Sequence, residues 1–182
     1  MPSIHFGGSR ALAPAPIVGQ VVRAVQAQGM AVHVGCAQGA DSQVVAAAAA
    51  SSLVVFASFG ASGAGSWSGS AVGAVSAAAA RGASVRWLAG GPLAIPLVGR
   101  LMRRSQAALS GCAASVFFLA GPSSRGSLAV AGFAVQAGQP VFAFCASQPC
   151  APRGCLGSWA PASFVGFSCW QWQPAAVQQR LF

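Results

Sequence analysis

The sequence predicts an α/β protein with a doubly wound, mostly parallel sheet of about six strands and helices on both faces. Three observations favour this class. Apolar runs of strand length alternate with segments of helical periodicity along the 182 residues. The apolar runs are continuous rather than alternating, as in parallel strands that are covered on both faces. The connections are short and rich in glycine, which is typical of turns.

The first five elements begin near the N-terminus. SIHF predicts a buried strand that ends at two glycines. The next segment carries valine and isoleucine at helical spacing and ends at a glycine, which is a common helix stop. A second strand, an alanine-rich helix and a third strand follow. The five predicted ranges are 3–6, 17–29, 31–35, 41–51 and 53–59.

The second half repeats the same alternation. SVRWLA, ASVFFLA and PVFAFC are apolar runs that predict three more strands, and the segments before them have helix length. The predicted helices are 68–82, 97–111 and 127–138, and the predicted strands are 84–89, 114–120 and 140–145. Residues 1–145 therefore predict one domain.

Residues 146–182 differ in composition and predict an irregular tail. Proline, tryptophan, cysteine and glutamine dominate, and no period is clear. We expect the tail to pack on the domain or on a partner. Trp159, Trp170 and Trp172 could stack with nucleobases, although covering an edge or face of the sheet is the more common role of such rings.

The charge balance is strongly positive. The chain has ten arginines, no lysine and one acidic residue, Asp41, which gives a net charge of +9. Such a field attracts polyanions. Mechanisms that need two carboxylates are excluded within one chain. Most of the depleted residue types use adenine-containing codons, so a nucleotide bias in the gene would be an alternative explanation for part of the imbalance.

The sequence indicates neither a secretory signal nor a membrane span. The N-terminus lacks a charged region before its apolar piece. The longest dense apolar piece, 44–57, falls short of the about 20 residues that a spanning helix needs. We therefore expect a cytoplasmic protein without a membrane partner.

Three glycine-containing loops follow predicted strands, at the edge where open parallel sheets bind ligands. They are FGGSRA (6–11), VGCAQGAD (34–41) and AGPSSRGSLA (120–129). Glycines let amides approach a phosphate, helix N-termini add partial positive charge, and arginines add paired donors. An ordinary tight turn is the alternative for any single loop. The candidate phosphate or nucleotide site comprises Gly8, Ser9, Arg10, Gly35, Gln38, Gly39, Asp41, Ser124, Arg125, Gly126 and Ser127.

These motifs resemble, in order and spacing, the superfamily of Rossmann-like domains that includes the DNA-processing protein DprA and the LOG nucleotide hydrolases (SLOG). The resemblance covers about residues 3–145. It is carried by Gly8-Ser9-Arg10, by GCAQGAD (35–41), by Met102-Arg103-Arg104 before Leu109-Ser110, and by Gly126-Ser127-Leu128. The DprA pattern is the closer one. It implies a Rossmann-like fold, binding of nucleic acid, and a homo-oligomer.

Departures from both patterns bear on activity. Gln38 stands where DprA usually has arginine, and Met102-Arg103-Arg104 replaces an R-N-R stretch. The catalytic glutamate of the LOG hydrolases would fall at Val130. General acid–base cleavage of an N-glycosidic bond needs a group that this loop lacks. We therefore expect a non-catalytic protein and no cofactor.

Asp41 and one arginine cluster allow two interpretations each. Asp41 is expected to cap the helix that it begins, and could also bind a ribose hydroxyl or orient Arg10. Arg100, Arg103 and Arg104 share one predicted helix face with no acid to pair them. They predict either a track for a nucleic-acid backbone or a solvated helix face.

The six cysteines leave the choice between zinc, disulfides and free thiols open, with free thiols favoured. The last four give C-x4-C-x4-C-x13-C, which is not a typical zinc spacing. A nucleophilic pair of Cys36 with His33 or His5 is conceivable, although histidines within strands are more often packed side chains.

Three functions remain from the sequence. The first is a binding protein for nucleic acid, most simply single-stranded DNA, without catalysis. The second is a protein of the LOG-like type that binds or processes a nucleotide or a nucleotide signal. The third is a component of a self-associating assembly, because only 6% of the residues are charged and apolar surface is left over.

Overall fold

A computed structural model describes residues 1–175 of the chain. Six strands alternate with five α-helices as far as residue 144, and two more strands form a hairpin after them. The strands are β1 Ser3–Gly8, β2 Ala31–Val34, β3 Leu53–Ala57, β4 Ser84–Trp87, β5 Ala114–Phe118, β6 Val141–Phe144, β7 Gly157–Phe164 and β8 Phe167–Pro174. The helices are α1 Pro16–Ala27, α2 Ala40–Ala47, α3 Val72–Ala80, α4 Leu97–Leu109 and α5 Arg125–Gln136.

All eight strands form one sheet in the order β4-β3-β2-β1-β5-β6-β8-β7. The first six strands run parallel to one another, and the pairs β6–β8 and β8–β7 at one edge are antiparallel. The prediction of an α/β protein with a mostly parallel sheet is confirmed, and the architecture is consistent with a Rossmann-like fold. The sheet has two strands more than the sequence indicated.

Helices cover both faces of the sheet. Helices α1, α2 and α3 pack side by side on one face, and α4 and α5 pack together on the other. Val21, Val22 and Val25 of α1 are fully buried, which agrees with the helical spacing of these valines in the sequence. On the opposite face, Phe117 of β5 and Leu128 of α5 belong to a second apolar cluster. Burial on two faces explains why the strands are continuous apolar runs.

The C-terminal segment was predicted to be irregular, but most of it forms regular structure. Residues 157–174 form the β7–β8 hairpin, and β8 pairs with β6. Trp159 and Trp172 are 5% and 4% exposed and pack edge to face beside α5, whereas Trp170 is partly buried. Two of the three rings therefore offer little surface to a nucleobase. Residues 176–182 of the predicted tail lie outside the described residues.

Glutamine side chains link neighbouring segments of this acid-poor protein. The amide of Gln43 accepts a hydrogen bond from the Ala15 nitrogen and donates to the carbonyls of Leu12 and Ala13, which fixes the connection from β1 to α1. Gln26 bridges in the same way to the Ala49 backbone. Neutral amides thus make links that ion pairs make in other proteins.

Within the described part of the chain, no helix combines the length and the apolar character needed to cross a bilayer. The longest helix, α4, has 13 residues, against the about 20 that a span requires.

Candidate functional site

The strand order places a crevice at the carboxyl edge of the sheet. Strand β1 pairs with β2 on one side and with β5 on the other, so the direction of the chain reverses between β1 and β5. Open α/β sheets bind ligands at such a switch point. The connections after β1, β2 and β5 carry the three predicted loops, and they meet at this edge.

A chain of hydrogen bonds joins the loops on the two sides of the switch point. The Ser9 hydroxyl accepts from the Ala120 amide at 3.0 Å and lies 2.6 Å from the Ser124 hydroxyl. The Ser124 hydroxyl donates to the Gly121 carbonyl at 3.1 Å. The amide of Ser9 itself donates to Phe118. Ser9 and Ser124 were both predicted for the site, and here they hold its walls together.

The turn after β2 packs against the same wall. Gly39 has φ 74° and caps α2, and a Cβ there would overlap the carbonyl oxygens of Ser9 and Arg10. The Ala40 amide donates to the Ser9 carbonyl at 3.1 Å. Gly8, at the end of β1, lies against Phe118 and Ala40. Only glycine fits this close approach with a left-handed backbone.

Several amides of these turns are already occupied. The amides of Gln38 and Ala37 donate to the Gly69 carbonyl and to Asp41, respectively. Together with Ser9, they leave the first two turns few amides for a phosphate. The first turn of α5 is different, because its amides have no partner inside the helix and Ser124 adds no side-chain cap. The Gln38 side chain is exposed at the edge.

The prediction that Asp41 caps α2 is wrong. Gly39 holds the capping position, and Asp41 is the second residue of the helix. Its carboxylate accepts from the Ala37 amide at 3.1 Å and from the Arg104 guanidinium at 3.1 Å. The expectation that no acid pairs with the α4 arginines is therefore wrong. Asp41 also pairs with Arg104 rather than with Arg10.

Arg104 crosses from one face of the sheet to the other over Gly35. Its guanidinium lies where a Cβ of Gly35 would be, which explains the glycine at that position. Side chains of Arg104 and Asp41 are 11% and 6% exposed, so the pair is nearly dry. The pair ties α4 to the start of α2 across the carboxyl ends of the strands.

Buried polar groups beneath the pair have shifted pKa values. Burial raises the pKa of Asp41, and the nearby Arg104 charge opposes this shift. Burial, followed by the charge of Arg104 and the proximity of His33, lowers the pKa of His5 to about 3. Nδ1 of His5 and Nε of Arg104 are buried without a hydrogen-bond partner among the described residues. His5 is therefore neutral and packed rather than a base.

The three arginines of the predicted track, Arg100, Arg103 and Arg104, differ in exposure and in their partners. Arg100 is 7% exposed, and it donates to the carbonyls of Ser58 at 2.6 Å, Gly65 at 3.0 Å and Ile95 at 3.2 Å. It fixes the loops after β3 and β4 and is not available to a backbone phosphate. Arg103 is exposed and extends beside Gly91 in the loop after β4. Of the three residues, only Arg103 faces solvent freely.

Arg10 and Arg125 remain as exposed cations beside the crevice. Within residues 1–175, the one ion pair belongs to Arg104. Arg10 lies near Gly69 and Trp67, while Arg125 begins α5. Gly126 is exposed and Ser127 is 9% exposed in the same first turn.

Protein-family models, curated proteins and solved structures were compared with the chain, and none matches it. The likeness to DprA thus stands on the quoted motifs alone. Val130, at the place of the LOG glutamate, is a partly buried residue of α5 that packs against the second apolar cluster.

Cysteines do not form a reactive centre with histidine at this edge. Cys112, rather than Cys36, approaches a histidine, with Sγ 3.4 Å from Nδ1 of His33. Both groups lie within reach of the Ala108 carbonyl, and burial raises the pKa of Cys112. All six cysteines are free, and the described residues contain no group of three or more metal-ligating side chains.

Two hollows flank the sheet. One of about 280 Å³ opens at the carboxyl edge, between the connection after β1 and the ends of β5 and β6. A wider one of about 570 Å³ lies at the opposite edge, between the ends of α4 and α5, and no charged side chain lines it. The smaller hollow is the better candidate for a ligand site because it adjoins the switch point.

Proposed function

We propose that the protein binds the phosphate backbone of single-stranded nucleic acid across the carboxyl ends of its parallel strands, without catalysis and in the cytoplasm. Arg10 and Arg125 hold phosphates on either side of the switch point. The first-turn amides of α5, at Gly126 and Ser127, add donors, and Arg103 extends the track beyond β4.

The observation that best supports this proposal is that these arginines are exposed, whereas the one carboxylate is buried and paired. Asp41 is buried and committed to Arg104, so it neutralises no exposed cation at this edge. The exposed arginines therefore lack acidic partners within residues 1–175, and a polyanion would supply them. The lack of a second carboxylate in the sequence supports binding over hydrolysis.

The similarity to DprA supports the same proposal. The GSR turn, the glycine turn that ends in Asp41 and the start of α5 meet at one edge of the sheet. Arg104, which the motif comparison would assign to DNA, is instead enclosed by its pairing with Asp41. The proposed track therefore rests on Arg10, Arg125 and Arg103.

Fluorescence anisotropy with a labelled oligothymidylate tests the proposal. We expect Arg10→Gln and Arg125→Gln each to weaken binding several-fold at moderate ionic strength, because each removes one phosphate contact. Arg23→Gln, at an exposed position on α1, is the matched control and should bind normally. Equal affinity of all three variants and the unaltered protein would count against the proposal.

A second candidate is the binding or processing of one nucleotide or nucleotide signal. The observation in its favour is the hollow at the switch point, which Ala15 and Ile17 line at the start of α1, since helix N-termini and switch points both suit nucleotides. Thermal shift with mononucleotides distinguishes the two. Tight binding of a mononucleotide, with an affinity that does not change with salt concentration, would favour this second function over the first.

We also propose that the protein self-associates. Leu156 is 84% exposed directly before the edge strand β7, and exposed strand edges pair readily with a second chain. Light scattering over a range of concentrations tests this, and a monomer at every concentration would contradict it.

A further inference from the structure

The hollow at the carboxyl edge has a lining that suits an uncharged group. Leu12, Ile17, Phe118 and Phe144 line it with apolar residues, and Cys145 and Ser168 also line it. No arginine lines it. A phosphate placed there would lose its hydration without gaining a cation, so the backbone is excluded from this space.

The position of the hollow connects it to the proposed track. Leu12 follows Arg10 by two residues in the same connection, which Gln43 fixes in place. Leu119 also lines the hollow, and the next residue, Ala120, donates its amide to Ser9. The Arg10 guanidinium itself lies near Gly69, on the β2 side of this connection. A strand that contacts Arg10 and continues toward β5 and β6 would carry its bases past the mouth of the hollow.

The size of the hollow favours a single base. Its volume of about 280 Å³ is just below the roughly 300–1,000 Å³ that is typical of pockets for small molecules. A planar, uncharged ring with edge hydrogen-bonding groups matches both the volume and the lining. Part of the wall, at Ala146 and Ser168, comes from the C-terminal segment that lies outside the resemblance to DprA.

We propose that this hollow receives one unstacked nucleobase of the bound strand. The inference rests on the proposed function and adds to it a base-binding site that the backbone track does not require. The hollow thereby favours single strands over duplex, because a paired base cannot leave its stack without a cost.

Two labelled ligands of equal length and charge test the inference, an oligothymidylate and an abasic strand. We expect the full-length protein to bind the base-bearing strand about tenfold more tightly, as one buried base contact would give. Ala146→Phe, at an exposed position on the mouth, should abolish this preference while leaving the salt dependence unchanged. Ala46→Phe, an exposed alanine of α2, is the matched control.

Thiol alkylation gives an independent measurement. Cys145 lines the hollow, whereas Cys150 is exposed on the following loop. We expect the oligothymidylate to slow alkylation of Cys145 and not of Cys150, and the abasic strand to protect neither.

The outcomes separate the two proposals. Equal binding of both strands, with salt dependence retained, overturns the base site and leaves the backbone track. Salt-insensitive or undetectable binding of both strands overturns both proposals. A change of oligomeric state in Ala146→Phe with the base preference intact would assign the hollow to a second copy of the chain and overturn the base site.

Discussion

Two groups of arginines lie at the same edge of the sheet and behave differently. Arg100 and Arg104, on α4, are enclosed, and their guanidinium groups donate to carbonyls and to Asp41, respectively. Arg10, in the loop after β1, and Arg125, at the start of α5, are exposed and have no acid beside them. Net charge alone therefore does not identify a binding surface. Internal partners decide which cations remain for a ligand.

The largest expected effect comes from breaking the buried pair. Asp41→Asn leaves the Arg104 charge enclosed with a neutral partner, and should lower the free energy of unfolding by about 3–5 kcal/mol. Arg103→Gln, the exposed neighbour on α4, should change it by about 0.5 kcal/mol or less. Urea unfolding measures both. Equal stability of the two variants would show that the pair is not structural.

Arg100→Gln should have the next largest effect. The substitution removes a charged donor from three carbonyls and loosens the loops after β3 and β4, at a cost of about 3 kcal/mol. Urea unfolding again provides the measurement, with Arg23→Gln at an exposed position of α1 as control. A stability loss no greater than that of the control would show that the hydrogen bonds of Arg100 do not stabilise the fold.

The serine chain at the crevice is expected to contribute less. Ser9→Ala leaves the Ala120 amide without its acceptor and should cost about 1–2 kcal/mol. Ser123→Ala, an exposed position in the loop before α5, should be nearly neutral. If the two substitutions cost the same in thermal unfolding, the chain does not hold the two walls together.

Stability should also depend on pH through His5. Its folded pKa of about 3 lies below the ordinary value of 6.5, so the unfolded chain binds a proton that the folded protein excludes. This contribution is present above pH 6.5 and is lost progressively as the pH falls toward 3. The raised pKa of Asp41 acts in the opposite direction, because the folded protein then binds its proton more readily. His5→Gln should flatten the acid limb of a stability profile, and an unchanged limb would contradict this assignment.

Sequence periodicity predicted the parallel part of the fold because both faces of the sheet are buried. The continuous apolar runs of β1, β2, β3, β5 and β6 and the spacing of the valines in α1 carry that signal. The β7–β8 hairpin escaped because its residues are half-buried, with Pro161 and Gly157 within a strand. Its pairing with β6 depends on the sheet that already exists rather than on a local pattern.

The sequence predicted which loops form the candidate site, but it did not predict which side chains pair with one another there. Glycine turns after strands indicated where the chain would meet, and Ser9 and Ser124 do meet. The pairing of Asp41 with Arg104 joins residues 63 positions apart and crosses the sheet, so no local spacing indicates it. The same holds for Arg100, whose carbonyl partners lie up to 42 positions away.

The salt dependence of oligothymidylate binding is the sharpest test of a phosphate track made by exposed arginines. We expect log affinity to fall linearly with log salt concentration. In the Arg10→Gln/Arg125→Gln double variant the slope should be shallower by about 1.4, at about 0.7 for each lost phosphate contact. Arg23→Gln should retain the full slope. A double variant with the slope of the unaltered protein would contradict the account.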